Sequence, residues 1–301
     1  MPETPAPVVE LTDLHEPARD IVIIGDRNVP LVPNIGVIGG SHSVLVVDTG
    51  MGPRNAQRTL DFAREYARGR RLYLTTTHFH PEHAFGANVF ATEATYLINR
   101  AQADDLTQRA PGYLPMFRAM GPAVARELDN VTFTEPDIVY DSAYHLDLGG
   151  RTVHMRATGR GHTRGDQVIT VPDQRILFTG DLVETAQFSI FPWFPPHDVD
   201  VFGHGWINVM ERLIIDAPAI VVPGHGGLTD ASALSDVHTY LERLREHTWR
   251  RRDASIPEPT TVEEVEAEMA RLYPTWTGRE WIAKGVGCFY HEHPQPAGVS
   301  S

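Results

Sequence analysis

The chain contains almost no cysteine or lysine, and it has no long apolar run. Cys288 is the only cysteine and Lys284 is the only lysine among 301 residues. A single cysteine excludes an internal disulfide framework, and the lack of an apolar stretch of roughly 18 residues argues against a membrane span. The first seven residues also lack the basic start and apolar centre of a secretory signal. We therefore expect a cytoplasmic protein with no membrane partner.

Positive charge is scarce as well. The chain has 26 lysine and arginine residues against 39 aspartate and glutamate residues, which gives a net charge of −13. Phosphate contacts dominate nucleic-acid affinity, so a chain this acidic is poorly suited to bind a polyanion. The short basic clusters at 68–71 and 250–252 fit solvated helix ends. We expect a small-molecule substrate and no nucleic-acid partner.

The rest of the composition suits one folded unit, because 42% of the residues are hydrophobic and the chain is long enough to bury a large core. Apolar runs between glycine-bearing turns predict strands at 20–25, 31–38, 43–48 and 94–99. Apolar residues at helical spacing predict helices at 52–68, 100–109, 116–128, 205–216, 232–252 and 261–273. We divide the chain into an N-terminal arm (1–18), one domain (19–288) and a C-terminal tail (289–301).

Three histidines and one carboxylate lie within six positions, directly after the β-prone stretch 71–74. Residues two apart in an extended segment point to the same side, so His78 and His80 are expected to converge. Pro81 suits the first turn of a helix, which would turn Glu82 and His83 towards a neighbouring position. Imidazole and carboxylate groups are ligands for zinc and related first-row metals. The segment therefore predicts a metal site at the end of a strand.

Three more polar residues follow apolar runs and stand beside glycine. His162 comes after the run 152–157, Asp181 after 175–178, and His225 after 219–222. Ligands delivered from strand ends to one edge of a sheet would give this spacing. These residues strengthen the prediction of a metal site.

The order of these motifs resembles that of the metallo-β-lactamase-fold hydrolases. The resemblance runs from about residue 21 to residue 227 and includes the turn Val47-Asp48-Thr49-Gly50. It implies an α/β (α+β) fold, namely the four-layer αββα sandwich, here with extra C-terminal helices. It is also compatible with a homodimer.

The same resemblance implies a ligand set like that of the glyoxalase II and lactonase branches. His78, His80 and His162 would hold a first metal, while Asp181 would bridge to a second. The second metal would also be held by Glu82, His83 and His225. Asp48 would orient the ligand loop from behind, as outer partners of metal-binding imidazoles do.

Glu82 departs from the family pattern, which is HxHxDH where this chain has HxHxEH. The extra methylene moves the carboxylate by roughly 1.5 Å, which is large against a tolerance of about 0.2 Å in ligand distances. Zinc is the expected cofactor, with two ions if Glu82 binds and one if it does not, and iron is the alternative. Glu82 and Asp181 are the candidates for proton transfer during catalysis.

Two segments are candidates for the substrate pocket. Residues 184–198 are rich in proline and aromatic residues and follow Asp181 directly. A rigid aromatic loop beside a metal favours an apolar pocket wall, although a buried connector would have the same composition. The second segment, 111–122, is either a lid or a helix that packs on the core. The pocket residues taken from these segments are Phe188, Phe191, Trp193, Phe194, Tyr113 and Met116.

The expected activity is zinc-dependent hydrolysis by a metal-activated hydroxide of a small neutral or hydrophobic ester, lactone, thioester or related electrophile. Hydrolytic dehalogenation of activated aromatics follows the same logic and is one alternative. A mononuclear-iron persulfide dioxygenase, with His78, His162 and Asp181 as ligands, is a second alternative. A non-catalytic metal-binding module is the third.

Overall fold

The computed structural model of the chain describes residues 5–294. Within that range, strands form two sheets, one in the order β1-β2-β3-β4-β5-β6-β7 and one in the order β12-β11-β10-β9-β8. The strands are β1 (Leu14–Ala18), β2 (Ile21–Ile24), β3 (Ile35–Gly39), β4 (Ser43–Val47), β5 (Arg71–Thr75), β6 (Ala94–Asn99), β7 (Ile138–Tyr140), β8 (Ala143–Asp147), β9 (Thr152–Ala157), β10 (Gln167–Val171), β11 (Ile176–Glu184) and β12 (Ile220–His225).

Helices cover the outer faces of the two sheets. They are α1 (Gly52–Ala67), α2 (Pro81–Ala84), α3 (Arg100–Gln108), α4 (Ala110–Arg118), α5 (Pro122–Glu127), α6 (Gly203–Asp216), α7 (Ser232–Asp253), α8 (Glu258–Leu272) and α9 (Glu280–Glu292). No helix among the described residues is long and apolar enough to cross a membrane.

Side chains that alternate along each strand bury both faces of the first sheet. In β4, Val44 and Val46 pack with α1 on the outer face, while Leu45 and Val47 face the second sheet. Side chains alternate between the faces of a strand, so a strand that is apolar at every position is buried on both sides. The first sheet is therefore covered by helices on one face and by the second sheet on the other.

The outer face of the second sheet completes the sandwich. Trp206 on α6, Tyr240 on α7 and Phe289 on α9 are each fully buried in the core cluster between this sheet and the C-terminal helices. The layers are thus helix, sheet, sheet and helix, and the predicted αββα fold class is confirmed.

Regular structure extends into the segments that the sequence assigns to the arm and the tail. Residues 14–18, assigned to the arm, form β1, which pairs antiparallel with β2. Upstream of β1, Val9 is buried and its N–H donates to Asn55 Oδ1 at 2.8 Å. At the other end, α9 extends into the predicted tail and carries the buried Phe289. The outermost parts of the arm and the tail, 1–4 and 295–301, lie outside the described residues.

The proline-containing stretch at 111–115 was predicted to separate two helices, and it lies inside α4 instead. Pro111 occupies the first turn of α4, where its missing N–H needs no partner. Pro115 follows within the same helix, which ends three residues later. The predicted second helix at 116–128 is divided between α4 and α5, with Gly121 between them.

Candidate metal centre

The first group of ligands comes from the loop after β5 and from the second sheet. Nε2 of His78 and Nε2 of His162 each lie 3.0 Å from Nδ1 of His80. Tetrahedral zinc with nitrogen ligands would hold such atoms about 3.4 Å apart. The three imidazoles thus point their nitrogens at one position, as the sequence predicted.

The second group consists of Glu82, His83, Asp181 and His225, which each offer one ligand atom within 4.8 Å of the others. Glu82 and His83 lie on α2, which begins at Pro81 immediately after His80. The turn of this short helix directs both side chains to a second position next to the first group. The Glu82 carboxylate therefore reaches the second group despite its extra methylene.

Asp181 stands between the two groups and faces each with a different oxygen. Its Oδ2 lies 3.8 Å from His78 Nε2 and 3.7 Å from His162 Nε2. Its Oδ1 lies 3.2 Å from His83 Nε2 and 3.7 Å from His225 Nε2. A carboxylate in this position can bridge two cations.

The burial of the seven candidate ligands supports a metal site. Each of the seven residues is at most 8% exposed. Among residues 5–294, four atoms of the second group have no hydrogen-bond partner, namely Glu82 Oε2, His83 Nε2, Asp181 Oδ1 and His225 Nε2. Buried polar atoms are rarely left unpaired, so convergent orphans of ligand type fit a metal site. The residues present are suited to zinc.

Each of three imidazoles is held from behind at its other nitrogen. His83 Nδ1 lies 2.9 Å from Asp48 Oδ2, which agrees with the role expected for Asp48. His162 Nδ1 donates to the carbonyl of Ile190 at 2.8 Å, and His225 Nδ1 donates to the carbonyl of Val32 at 2.9 Å. Such contacts fix the tautomer and the ring orientation of a ligand. The two carbonyls were missed because backbone acceptors carry no residue-type signal.

The site mixes opposing electrostatic effects. Burial lowers the pKa of His78 and His80 well below the usual range, and it lowers that of His162 to about 4. Burial also lowers the pKa of His83, but the carboxylates of Asp181 and Asp48 outweigh it and raise this pKa well above its ordinary value. Three imidazoles are thus held neutral, which is the form that binds metal.

The carboxyl groups are shifted in opposite directions. Burial raises the pKa of Glu82. Burial also acts to raise the pKa of Asp181, but the positive charge of His83 outweighs it and lowers this pKa well below its usual value. Asp181 therefore carries a negative charge between the two ligand groups, whereas Glu82 binds a proton more readily than Asp181 does.

Supporting residues that were not predicted hold the ligand loops. Asp166 accepts hydrogen bonds from Thr163 N at 2.9 and 3.0 Å and so closes the loop that carries His162. Asn34 donates to the carbonyls of Pro223 and Gly226 on either side of His225. The Gly-His-Thr-x-Gly-Asp and Pro-Gly-His-Gly motifs mark the loops but do not identify these partners.

The predicted pocket residue Tyr113 lies against the first ligand group. Its ring stacks on His80 with 5.3 Å between centroids and contacts Phe79 at 5.0 Å. Met116, one helical turn further along α4, is partly buried on the same core cluster. The structure thus brings Tyr113 beside the site, and the role of both residues in substrate binding stays a prediction.

The aromatic side chains that follow Asp181 lie in two different environments. Phe188 and Phe191 are fully buried beneath the C-terminal helices, where Phe188 packs on Tyr240 and Phe191 on Trp206. Their side chains fill the core as a buried connector would, and their role in a substrate pocket stays a prediction. Trp193 and Phe194 are half-buried, with Trp193 near His291 and Phe194 beneath Lys284.

Comparison with known proteins agrees with this geometry. The family model described as the metallo-beta-lactamase superfamily matches residues 28–225. The acyl-coenzyme A thioesterase MBLAC2 of Bos taurus is 28% identical over 214 residues, which cover 64% of this chain and 72% of that protein. An uncharacterized protein of Mycobacterium tuberculosis is 27% identical over 213 residues, covering 66% and 88% of the two chains.

Solved structures share the fold at low identity. A metallo-beta-lactamase from Pontibacter korlensis has a TM-score of 0.62 and 18% identity, covering 76% of this chain and 98% of that one. The sec-alkylsulfatase Pisa1 from Pseudomonas sp. has a TM-score of 0.69 and 14% identity, covering 93% and 50%. The family match spans all seven candidate ligands. The chain therefore belongs to the metallo-β-lactamase superfamily and is a metal-dependent hydrolase.

Proposed function

We propose that this protein is a dinuclear zinc hydrolase that cleaves hydrophobic acyl thioesters and related esters. The observation that carries the proposal is the position of Asp181, whose two carboxylate oxygens each face one complete group of ligands. The imidazole-rich donor set favours zinc. The second group includes Glu82, and this favours two ions over one.

The chemistry divides between the bound ions and the side chains. When bound, the ions supply Lewis-acid polarisation of the acyl oxygen and activation of water. Asp181 lies between the two ligand groups and contacts both, and Asp48 fixes the orientation of the His83 ring. The reaction adds water across the carbon–sulfur bond and yields a carboxylate and a thiol. The Glu82 carboxyl, through the oxygen that does not face the second ion, is the group proposed to pass the proton to the departing sulfur.

Apolar side chains beside the site support a hydrophobic substrate. Phe79 and Tyr113 stack around His80, and Phe117 stacks on Tyr113 at 5.9 Å between centroids. Half-buried Met116 and Phe117 extend this apolar side of α4. The thioester class is supported by the relatives named as acyl-coenzyme A thioesterases. Localisation in the cytoplasm stays a prediction.

The decisive experiment begins with metal analysis of the purified protein. We expect two zinc ions per chain by mass spectrometry of the released metals. The zinc-loaded protein is then tested on acyl thioesters of increasing chain length, with the matched oxygen esters, a lactone, a β-lactam and a haloaromatic in parallel. Thioester hydrolysis that rises with acyl length supports the proposal, and turnover of only the haloaromatic contradicts it.

Release of the product thiol can be measured directly, because the protein's own cysteine adds little thiol signal. Cys288 is fully buried, and burial raises the pKa of its thiol well above the ordinary value, which disfavours the reactive thiolate. His80→Ala removes a ligand from the first group and is expected to abolish thiol release. One iron per chain, together with oxygen uptake on a persulfide, would instead establish the dioxygenase alternative.

A further inference from the structure

Glu184 is a buried carboxyl group beside the metal centre that belongs to neither ligand group. It is the last residue of β11, three positions after Asp181, and it is only 2% exposed. Its Oε1 accepts a hydrogen bond from the N–H of Ile190 at 3.3 Å. A buried carboxyl is costly to keep without a specific use, so its contacts indicate what it does.

Ile190 connects Glu184 to a metal ligand. The carbonyl of Ile190 accepts the hydrogen bond from His162 Nδ1 at 2.8 Å. With its proton on Nδ1, His162 presents the lone pair of Nε2 to the position shared with His80. Glu184 therefore binds the N–H of Ile190, and the carbonyl of the same residue sets the tautomer of His162.

The segment that carries Ile190 has little regular structure of its own. Residues 185–202 connect β11 to α6 without a helix or a strand. Phe188 and Phe191 anchor the segment in the core on either side of Ile190. The N–H and the carbonyl of Ile190 belong to two adjacent peptide groups that meet at its Cα atom. Side-chain packing fixes the path of the loop, whereas a hydrogen bond to the N–H fixes the plane of the first peptide group and so restricts the second, which carries the carbonyl.

We propose that Glu184 is a positioning residue that orients the backbone at Ile190 and thereby aligns His162 for metal binding. The inference rests on the proposed function, since the alignment of His162 matters only if His162 binds a metal. The competing explanation is that Phe188 and Phe191 hold the loop by packing alone. In that case the carboxyl group would be dispensable.

The second oxygen of Glu184 supplies a matched control. Among residues 5–294, Oε2 has no hydrogen-bond partner, and neither has the hydroxyl of Tyr240 on α7, which is also fully buried. The Tyr240 ring packs on Phe188 of the same segment with 5.5 Å between centroids, and burial followed by the influence of Glu184 raises the pKa of its phenol. Tyr240→Phe changes the surroundings of Glu184 but leaves the contact with Ile190 intact.

The test compares zinc affinity in three variants by competition with a chromophoric chelator. Glu184→Met conserves volume and removes the acceptor, and we expect it to weaken zinc binding by about 10- to 100-fold, as the loss of outer partners does. Glu184→Gln keeps an acceptor oxygen and is expected to bind zinc much as the parent does. Tyr240→Phe is expected to match the parent as well.

A spectroscopic measurement shows whether the effect passes through His162. In nitrogen-15 NMR spectra, the Nδ1 proton of His162 should be present in the parent and in Glu184→Gln, and it should be lost or exchange rapidly in Glu184→Met. If Glu184→Met does not fold, protection of the Ile190 amide against hydrogen exchange in the parent tests the same contact. An unprotected Ile190 amide would overturn the proposal.

The outcomes separate this inference from the proposed function. Zinc affinity unchanged in Glu184→Met would show that packing alone holds the loop. Equal losses in Glu184→Gln and Glu184→Met would show that charge matters and not the hydrogen bond to Ile190, which also overturns the inference. A parent protein that binds no metal would instead defeat the proposed function.

Discussion

Glu82 is the residue at which the sequence departs from the HxHxDH pattern, and the structure accommodates it. The longer carboxylate lies within reach of His83, Asp181 and His225. Because His78, His80 and His162 form their own group, we predict that Glu82→Ala lowers the metal content from two ions to one and leaves the first ion bound. Metal analysis after dialysis against a weak chelator measures this.

A matched pair of variants sharpens the Glu82 prediction. Glu82→Gln keeps the length of the side chain and removes its charge, so it tests whether the carboxylate itself binds. His80→Ala should instead deplete the first group, whose nitrogens meet at His80 Nδ1. If Glu82→Ala retained two tightly held ions, Glu82 would not be a ligand.

Gly224 is required by the close approach of two strands at the metal centre. A Cβ atom at this position would lie 1.9 Å from Asp181 Oδ1 and 2.8 Å from the carbonyl carbon of Gly180. We predict that Gly224→Ala displaces Asp181, with a loss of about 1–3 kcal/mol in the free energy of unfolding from overpacking. Zinc affinity should fall with it, because the displaced oxygen faces His83.

Gly227, three residues further on, provides the control for Gly224. A Cβ atom there would meet nothing within 4 Å. Gly227→Ala should therefore leave both the midpoint of thermal unfolding and the zinc affinity at the parent values. Equal behaviour of the two alanine variants would contradict the steric argument.

At the scale of elements, the strands that position the ligands were the most predictable part. Their apolar runs are uninterrupted where both faces are buried, as in β4 and in the first three residues of β11. The ligand motifs were predictable for the same reason, since each follows such a run. Asp48 meets His83 because β4 and the neighbouring parallel strand β5 end at the same edge.

Elements whose existence depends on tertiary contacts could not be predicted. Helix α9 contains Gly285 and Gly287, which lower helix propensity. A Cβ at Gly285 would lie 2.6 Å from Leu244, and one at Gly287 would lie 2.9 Å from Trp193. The glycines therefore serve close packing on α7 and on the loop after β11. Strand β1 was likewise missed, because most of its side chains are exposed and only pairing with β2 defines it.

Arg109 fastens α4 to the loop that follows β11. Its guanidinium lies 2.5 Å from Asp198 and 3.1 Å from Asp200, and it packs over the ring of Phe79. Arg109 is 18% exposed and Asp198 only 4%. We predict that Arg109→Met costs about 3 kcal/mol of stability, because the buried carboxylate of Asp198 loses its ionic partner.

Denaturant unfolding and limited proteolysis test the Arg109 contact together. Cleavage within 110–118 should become faster in Arg109→Met, since α4 loses its tie to the loop. The exposed pair of Arg100 and Asp141 is a suitable comparison, because surface ion pairs contribute little. Arg100→Met should show no measurable change, and an equally large loss there would refute the role of burial.

At the scale of the whole molecule, the metal centre joins the two sheets. His78, His80, Glu82 and His83 follow β5 of the first sheet, whereas His162, Asp181 and His225 belong to the second sheet and its loops. Neither half of the chain contains a complete ligand group. Any ion bound at this site therefore crosslinks the halves of the sandwich in addition to serving catalysis.

This crosslink predicts a large effect of metal removal on stability. A ligand at about 100 times its dissociation constant stabilises the folded state by about 2.7 kcal/mol, which corresponds to roughly 5 °C or more in the unfolding midpoint of a large domain. We expect chelation to lower the midpoint of the parent by that amount and added zinc to restore it. His80→Ala, which breaks the first group, should respond much less to either treatment. A parent midpoint that is unchanged by complete removal of metal would show that the two sheets are held together by the apolar core between them, without help from the metal centre.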